Sequence, residues 1–112
     1  MLKKIIVVLF SLIIVGCTTK MDKYKEIMND NEYIIIDVRT AEEYTESHVK
    51  DSINIPYDDI DENTELDKDK ILFVYCKSGA RSNVAYQKLK DLGYTVYDMG
   101  AYENIDLEKE SN

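Results

Sequence analysis

The chain has 112 residues, which is enough for one domain of ordinary size and too few for two hydrophobic cores. Its 22 acidic and 14 basic residues give a formal charge of −8, which excludes the basic surface of a nucleic-acid-binding protein. A hydrophobic content of 45% excludes a disordered acidic chain. Two cysteines and one histidine cannot form a four-ligand zinc site without carboxylates. The composition therefore predicts one soluble domain with one site.

The first residues have the pattern of a secretory signal. Lys3 and Lys4 precede eleven mostly apolar residues, 5–15, a run shorter than the ~20 residues that a membrane-spanning helix needs. The alternative, a buried core helix, would expose both lysines and has no polar face. The run ends in Ile14-Val-Gly-Cys17, which resembles the lipobox of bacterial lipoproteins, where the cysteine is acylated and becomes the new amino terminus. We expect a lipoprotein signal peptide at 1–16, a lipidated tether at 17–20 and a single domain at 21–112.

Cleavage before Cys17 would remove two lysines and no acidic residue, which leaves a formal charge of −10. An anionic membrane surface repels such a charge, so attachment would depend on lipid, such as palmitate, on Cys17. We expect an exported protein that is anchored to the outer face of the cytoplasmic membrane or lies in the periplasm. With Cys17 lipidated, Cys76 would be the one free thiol and no internal disulfide could form.

In the first half of this domain, apolar spacing predicts a helix and two strands. The helix covers 21–28, a buried strand covers 33–36, and a short alternating strand covers 53–55. Between the strands, Thr40 is predicted to cap a short helix that ends at Tyr44, with Glu43 completing a capping box.

The second half predicts a strand, a helix and a strand in that order. A polar stretch over 58–70 is expected to form a surface loop with a helical turn, and a buried strand follows at 71–75. A helix over 82–92 and a strand over 95–98 complete a βαβ unit, which implies a parallel sheet. Ser82 is expected to be the N-cap of this helix, and Gly93 is expected to end it. The buried apolar face is predicted to consist of Val84, Ala85, Leu89 and Leu92. The predicted fold class is α/β, a small parallel sheet with helices on both faces.

The loop over 76–81 carries the residues best suited to chemistry. Cys76 follows a buried strand, at the edge where open parallel sheets bind ligands, and precedes a helix N-terminus. Such a position lowers the pKa of a thiol and makes it more nucleophilic, and Lys77 and Arg81 add positive charge. Gly79 permits a backbone conformation that turns several N–H groups toward an anion. The alternative, an inert buried cysteine, does not explain the clustered Lys, Gly and Arg.

Ordered motifs along residues 21–105 resemble the rhodanese-like sulfurtransferase domains. The motifs that carry the resemblance are Ile35-Ile-Asp-Val-Arg39, Glu43-Tyr44, Glu46-Ser-His-Val49, Ser52-Ile-Asn-Ile-Pro56, Phe73-Val-Tyr-Cys-Lys-Ser-Gly-Ala-Arg-Ser82, Leu92-Gly-Tyr94 and Asp98-Met-Gly-Ala-Tyr102. Four positions depart from the family pattern. Ser47 and Asp51 replace glycines, Tyr102 stands where tryptophan is common, and Lys77 stands where arginine is common.

The resemblance implies a site in which Cys76 accepts a sulfane sulfur as a persulfide. Residues expected to bind the anionic donor are Lys77, Ser78, Gly79, Ala80 and Arg81. Asp37 and Arg39 are expected to brace the site, and Arg39 could also pair with Glu43 four residues on. His48 matches a family histidine, for which a structural role is favoured over that of a catalytic base.

The length of the loop bears on the reaction. Related phosphatases and arsenate reductases have five residues between the cysteine and the arginine, whereas this chain has four, which favours sulfur transfer. We therefore expect a monomeric sulfurtransferase that takes sulfur from thiosulfate or a similar donor and passes it to a thiophilic acceptor, with no metal, no organic cofactor and no nucleic-acid partner. The alternatives are a non-catalytic persulfide or anion carrier, a phosphatase or arsenate reductase, and a structural lipoprotein.

Overall fold

The computed structural model of the protein describes residues 19–111. The expected signal peptide and Cys17 lie outside the described residues. The described residues belong to two compact units: residues 19–30 lie in the first and residues 31–111 in the second. Within the described range, no helix has the length and apolar character needed to cross a membrane.

In the first unit, the described residues form one helix, α1, which spans Lys20–Asp30 and confirms the helix predicted over 21–28. The N–H of Asp22 donates to Oγ1 of Thr19 at 3.2 Å, and the N–H of Thr19 donates to the Asp22 carboxylate at 3.0 Å. These reciprocal bonds satisfy N–H groups that have no acceptor within a helix start.

The second unit contains a four-stranded parallel sheet. Its strands are β1 (Tyr33–Asp37), β3 (Ile53–Asn54), β4 (Ile71–Cys76) and β5 (Val96–Ala101), and their spatial order is β3-β1-β4-β5. Every neighbouring pair is parallel, which confirms the predicted sheet. The carboxyl ends of β1, β4 and β5 consequently lie along one edge.

Two helices and two 3₁₀ turns connect the strands. The helix α2 spans Ala41–Glu46 and α3 spans Ala80–Asp91, while the turns cover Tyr57–Asp59 and Tyr102–Asn104. The capping box predicted at the start of α2 is present, with both reciprocal bonds formed. α3 ends as predicted, because Gly93 adopts φ 94° directly after the helix.

A second, antiparallel pair of strands was not predicted. β2 (His48–Val49) pairs with β6 (Lys109–Glu110) near the carboxyl end of the chain. Each strand has two residues, which is too short to show a hydrophobic period.

The core on one side of the sheet lies between β4 and α3. Leu72, Val74 and Cys76 alternate along β4 and share a buried cluster with Ala85 and Leu89 of α3. The intervening residues of β4 are also buried, so this strand is covered on both faces, as its apolar sequence indicates.

The prediction that Val84 belongs to the buried face of the helix is wrong. Its side chain is 41% exposed, whereas the buried residues of α3 are Ser82, Ala85 and Leu89. These three recur at helical spacing, and Val84 lies about 100° around the helix from Ala85.

A buried hydroxyl connects the sheet to the segment that follows α2. Tyr75 on β4 donates its hydroxyl proton to Asp37 at 2.9 Å, and the same oxygen accepts the N–H of Val49 at 3.0 Å. Tyr75 has no exposed surface, so water cannot replace either bond. Burial is the main cause that raises the pKa of the Tyr75 phenol well above its usual value.

We predict that Tyr75→Phe lowers the free energy of unfolding by about 1–3 kcal/mol, because it leaves the Val49 N–H buried without an acceptor. Denaturant unfolding of the full chain measures this. Tyr33→Phe is the control, since its ring is 42% exposed, and it should change stability by less than about 0.5 kcal/mol. Equal unfolding midpoints for the two variants would contradict the assigned role of the hydroxyl.

Candidate active site

The site is built where the strands of the parallel sheet end. Asp37 is paired with Tyr75, and Cys76 is paired with Ala101, so β1, β4 and β5 finish side by side. Cys76 is the last residue of β4 and has no exposed surface. Because alternate residues of β4 face α3, the Cys76 side chain points toward the start of that helix.

Backbone N–H groups surround the Cys76 sulfur. The N–H of Gly79 donates to Sγ at 3.0 Å and the N–H of Ser82 donates to it at 3.3 Å. Gly79 adopts φ 102°, a left-handed conformation that only glycine takes readily, and this turn folds the loop back over the sulfur.

The left-handed turn also moves the start of the helix. Gly79 is the N-cap of α3, which begins at Ala80, so the prediction of Ser82 as N-cap is wrong. Ser82 instead lies in the first turn, where it is buried and its hydroxyl donates to the Gly79 carbonyl at 3.1 Å. N–H groups of the first helical turn, including those of Ala80 and Arg81, have no acceptor within the helix and remain available to an anion.

The pKa of the Cys76 thiol is lowered from its ordinary value by this cradle. Burial by itself raises the pKa, but hydrogen bonds from Ser82 and from the N–H groups of Gly79 and Ser78 outweigh it. The hydrogen-bonded thiolate is the nucleophilic form. These donors belong to the loop and to the first turn of α3, the two places from which the sequence analysis expected N–H groups to stabilise an anion.

Arg81 lies near the sulfur but is bound to a carboxylate. Its Nη1 donates to Oε1 of Glu43 at 2.8 Å and its Nη2 donates to Oε2 at 3.2 Å. This ion pair is the main cause that lowers the pKa of Glu43 to about 2. The proposed pairing of Glu43 with Arg39 is therefore wrong, because Arg39 precedes the helix and turns to Asp37 instead.

Asp37 and Arg39 form a buried, forked ion pair. The Arg39 Nε donates to both carboxylate oxygens of Asp37 (2.9 and 3.0 Å), and Nη2 donates to Oδ2 at 2.6 Å. Nη2 also donates to the Ser47 carbonyl at 2.6 Å, just after α2. The pair holds the β1–α2 connection and the end of α2 in fixed positions, and it lies beside the site as an internal support.

Tyr102 occupies the position where the family pattern favours tryptophan. The Arg39 guanidinium lies 4.5 Å above its ring, and Lys109 approaches the same ring at 4.5 Å. The ring also stacks on Tyr75, and its hydroxyl is hydrogen-bonded to the Ser47 side chain. Tyr102 thus supplies an aromatic surface, and its hydroxyl forms a hydrogen bond with Ser47. Both residues are departures from the family pattern.

His48 is buried and both of its ring nitrogens are engaged. Nδ1 lies 2.7 Å from the Tyr44 carbonyl oxygen and Nε2 lies 3.2 Å from the Glu110 carboxylate. The ring also stacks on Tyr44. Three residues later, Asp51 adopts φ 65°, so it takes the left-handed turn for which the family uses glycine. These contacts connect α2, β2 and β6 through the imidazole.

The remaining loop residues face outward. Lys77, Ser78 and Ala80 are exposed. A cavity of about 540 Å³ opens beside this part of the loop. Its lining consists of Lys77, Ser78, Ala101, Tyr102, Glu103 and Asn104. Among residues 19–111 no cluster of three or more His, Cys, Asp or Glu side chains is arranged to hold a metal ion.

The structure folds the loop over Cys76 at Gly79, leaves the side chains of Lys77, Ser78 and Ala80 exposed, and places Asp37 next to Tyr75 on the neighbouring strand. It also adds two residues that the sequence did not single out for the site. Ser82 was assigned to a cap, and Glu43 was assigned to the wrong arginine. Glu43 and Arg81 are 38 residues apart, so no local pattern could have paired them.

Comparisons with known proteins identify the family of this chain. The chain matches the family model for the rhodanese-like domain over residues 20–106. It is 41% identical over 71 residues to a probable molybdopterin-synthase adenylyltransferase from Porphyra purpurea, a match that covers 61% of this chain but only 19% of that protein. It is 37% identical over 78 residues to the thiosulfate sulfurtransferase PspE of Escherichia coli, which covers 66% of this chain and 75% of that protein.

Among solved structures, a rhodanese with anions from E. coli superposes with a TM-score of 0.65 at 32% identity, over 71% of this chain and 99% of that one. The family match spans β1–β5, the Cys76 loop and the supporting ion pair. The chain therefore belongs to the rhodanese-like domain family.

Proposed function

We propose that the protein is a single-domain sulfurtransferase that works through a persulfide on Cys76. The thiolate attacks the outer sulfur of thiosulfate or a similar donor; a new S–S bond forms, the old one breaks, and sulfite leaves with its electron pair. A thiophilic acceptor then attacks the outer sulfur of the persulfide, and the Cys76 thiolate leaves. Two half-reactions through a covalent intermediate imply ping-pong kinetics.

The observation that carries this proposal is the set of N–H groups directed at Sγ. Gly79 and Ser82 donate to the sulfur at 3.0 and 3.3 Å, which stabilises the thiolate that attacks the donor and leaves again in the second half-reaction. The relatives support the same chemistry, because PspE is named a thiosulfate sulfurtransferase.

The anionic part of the donor would be bound by the free N–H groups of the first turn of α3 and by Lys77 and Arg81. A guanidinium has five N–H donors, so Arg81 retains donors beyond the two that it gives to Glu43. The structure from E. coli is described as containing anions, which agrees with such a site. The acceptor would enter through the cavity beside Lys77 and Ser78.

A second candidate is a carrier that holds sulfur for a partner protein. It is favoured by one observation, the complete burial of Cys76, which would slow the attack of an acceptor on the persulfide. Both candidates need a loaded Cys76, and they differ in the rate at which the sulfur leaves.

We predict that the reduced full chain, purified in detergent and treated with thiosulfate, gains the mass of one sulfur atom at Cys76. Cyanide should remove this sulfur as thiocyanate and restore the starting mass, which mass spectrometry would follow. Cys76→Ser should never gain the mass. Loading should persist below the ordinary pKa of a thiol, about 8.5, because the pKa of the Cys76 thiol is lowered.

Rapid turnover of the loaded protein supports the enzyme, and negligible turnover supports the carrier. A folded chain that does not load but hydrolyses an aryl phosphate or reduces arsenate would show that the argument from loop length is wrong. A chain that is unreactive toward all of these and toward alkylating reagents would make Cys76 structural.

We predict that Arg81→Ala raises the KM for thiosulfate and slows persulfide formation by about tenfold or more, which corresponds to about 1.4 kcal/mol of transition-state stabilisation. The variant loses a cation near the sulfur and leaves the Glu43 carboxylate without its partner. Steady-state and single-turnover kinetics measure both effects. A variant with the kcat/KM of the wild type would refute the role of Arg81 in donor binding.

We further propose that the domain is exported and anchored to a membrane through lipid on Cys17. The support is the sequence Ile14-Val-Gly-Cys17 directly after the apolar run. We predict that Cys17→Ser abolishes labelling by radioactive palmitate and leaves uncleaved or mislocalised protein, which detergent partitioning would detect. Unchanged lipid labelling in the variant would overturn the anchoring proposal.

A further inference from the structure

Arg81, the last residue of the 76–81 segment, forms an ion pair with Glu43 of α2. It is a two-point contact, with Nη1–Oε1 at 2.8 Å and Nη2–Oε2 at 3.2 Å. The side chains are 28% and 27% exposed, so the pair is partly shielded from water. One edge of the guanidinium, the fork that matches a planar or tetrahedral oxyanion, is therefore occupied by a carboxylate of the same chain.

Glu43 is held in this position by its own helix. Its Oε1 accepts hydrogen bonds from the N–H of Thr40 at 3.2 Å and from the Thr40 hydroxyl at 3.1 Å. The N–H of Glu43 donates in return to the Thr40 side chain at 3.2 Å. The carboxylate is thus fixed from two sides, by the capping box and by Arg81, and little ordering is needed to keep the ion pair in place.

The pair changes the charge that a donor meets. Beside the Cys76 thiolate, the positive side chains of the loop are Lys77, which is exposed, and Arg81. Glu43 cancels the charge of Arg81, so Lys77 and the thiolate are left to balance each other. An incoming dianion then meets short-range N–H donors without a surplus of positive charge.

We propose that Glu43 is a specificity-determining residue, which weakens the use of dianionic sulfur donors relative to donors of lower charge. The inference rests on the sulfur-transfer function proposed above. The energy of a fixed charge with a donor is proportional to the donor's charge, so Glu43 opposes a dianion twice as strongly as a monoanion. The site therefore selects donors of low negative charge over the dianion thiosulfate.

The test compares Glu43→Gln with the wild type on two donors, thiosulfate as the dianion and an aryl thiosulfonate as the monoanion. Glutamine keeps an oxygen for the Thr40 N–H but removes the charge opposite Arg81. We expect kcat/KM to rise about tenfold for thiosulfate and about threefold for the thiosulfonate. A donor with half the charge has half the interaction energy with Glu43, so its gain is the square root of the gain for thiosulfate. The gain should shrink as salt is added.

Glu42→Gln is the matched control. It removes the same charge from the adjacent residue of α2, which is exposed and makes no ion pair within residues 19–111. We expect it to change kcat/KM for either donor by less than about twofold, as screening at an exposed site implies. If Glu43 had a purely structural role, Glu43→Gln would instead lower kcat/KM by the same factor for both donors and would also lower the melting temperature.

A measurement on the wild type keeps the inference testable if Glu43→Gln does not fold. With Arg81 neutralised in an acidic protein, kcat/KM for thiosulfate should stay level or rise as salt is added, and a steep fall would overturn the inference. The inference would also be overturned if Glu43→Gln left the ratio of the two kcat/KM values unchanged, or if it lowered kcat/KM for thiosulfate alone. A wild type that loads sulfur from neither donor would instead refute the proposed function.

Discussion

The alternation of side chains along β4 decides where the sulfur of this domain lies. Val74 and Cys76 turn toward α3, while Tyr75 turns to the opposite face and binds Asp37. Only three residues separate Cys76 from the first residue of α3, so the start of that helix cannot lie far from Sγ. A shift of one residue in the register would turn the thiol to the other face and the phenol toward the helix. The N–H cradle is therefore a consequence of strand periodicity and a short connection.

The face occupied by Tyr75 supports the site through buried charge. Removing a carboxylate and a guanidinium from water costs several kcal/mol for each ion unless every polar atom finds a partner. Asp37 accepts hydrogen bonds from the backbone and side chain of Arg39 and from Tyr75, and Arg39 also reaches the Ser47 carbonyl. The network fixes both ends of α2, which carries Glu43. The contact between Glu43 and Arg81 thus depends on the Asp37–Arg39 ion pair, because that pair positions α2.

Features set by neighbouring residues could be predicted from the sequence, and features set by distant pairs could not. The capping box of Thr40 and Glu43 is visible in four consecutive residues, and the apolar run of β4 identifies a strand that is buried on both faces. The start of α3 was misplaced because a left-handed Gly79 can cap a helix without a side chain. The partner of Glu43 was misassigned because spacing along a helix favours the residue four positions away, whereas the fold brings Arg81 closer.

Charge acts on this domain at two ranges. The formal charge of −8 opposes the approach of any anion, but solution ions screen this field beyond about 8 Å at physiological salt. Within that distance, the donor contacts N–H groups that β4 and α3 hold in place and whose dipoles do not change with pH. Side-chain charges near the sulfur largely cancel, because Glu43 neutralises Arg81. Binding of an anion by an acidic protein therefore depends on oriented backbone dipoles, and the side chains adjust how much negative charge the donor can carry.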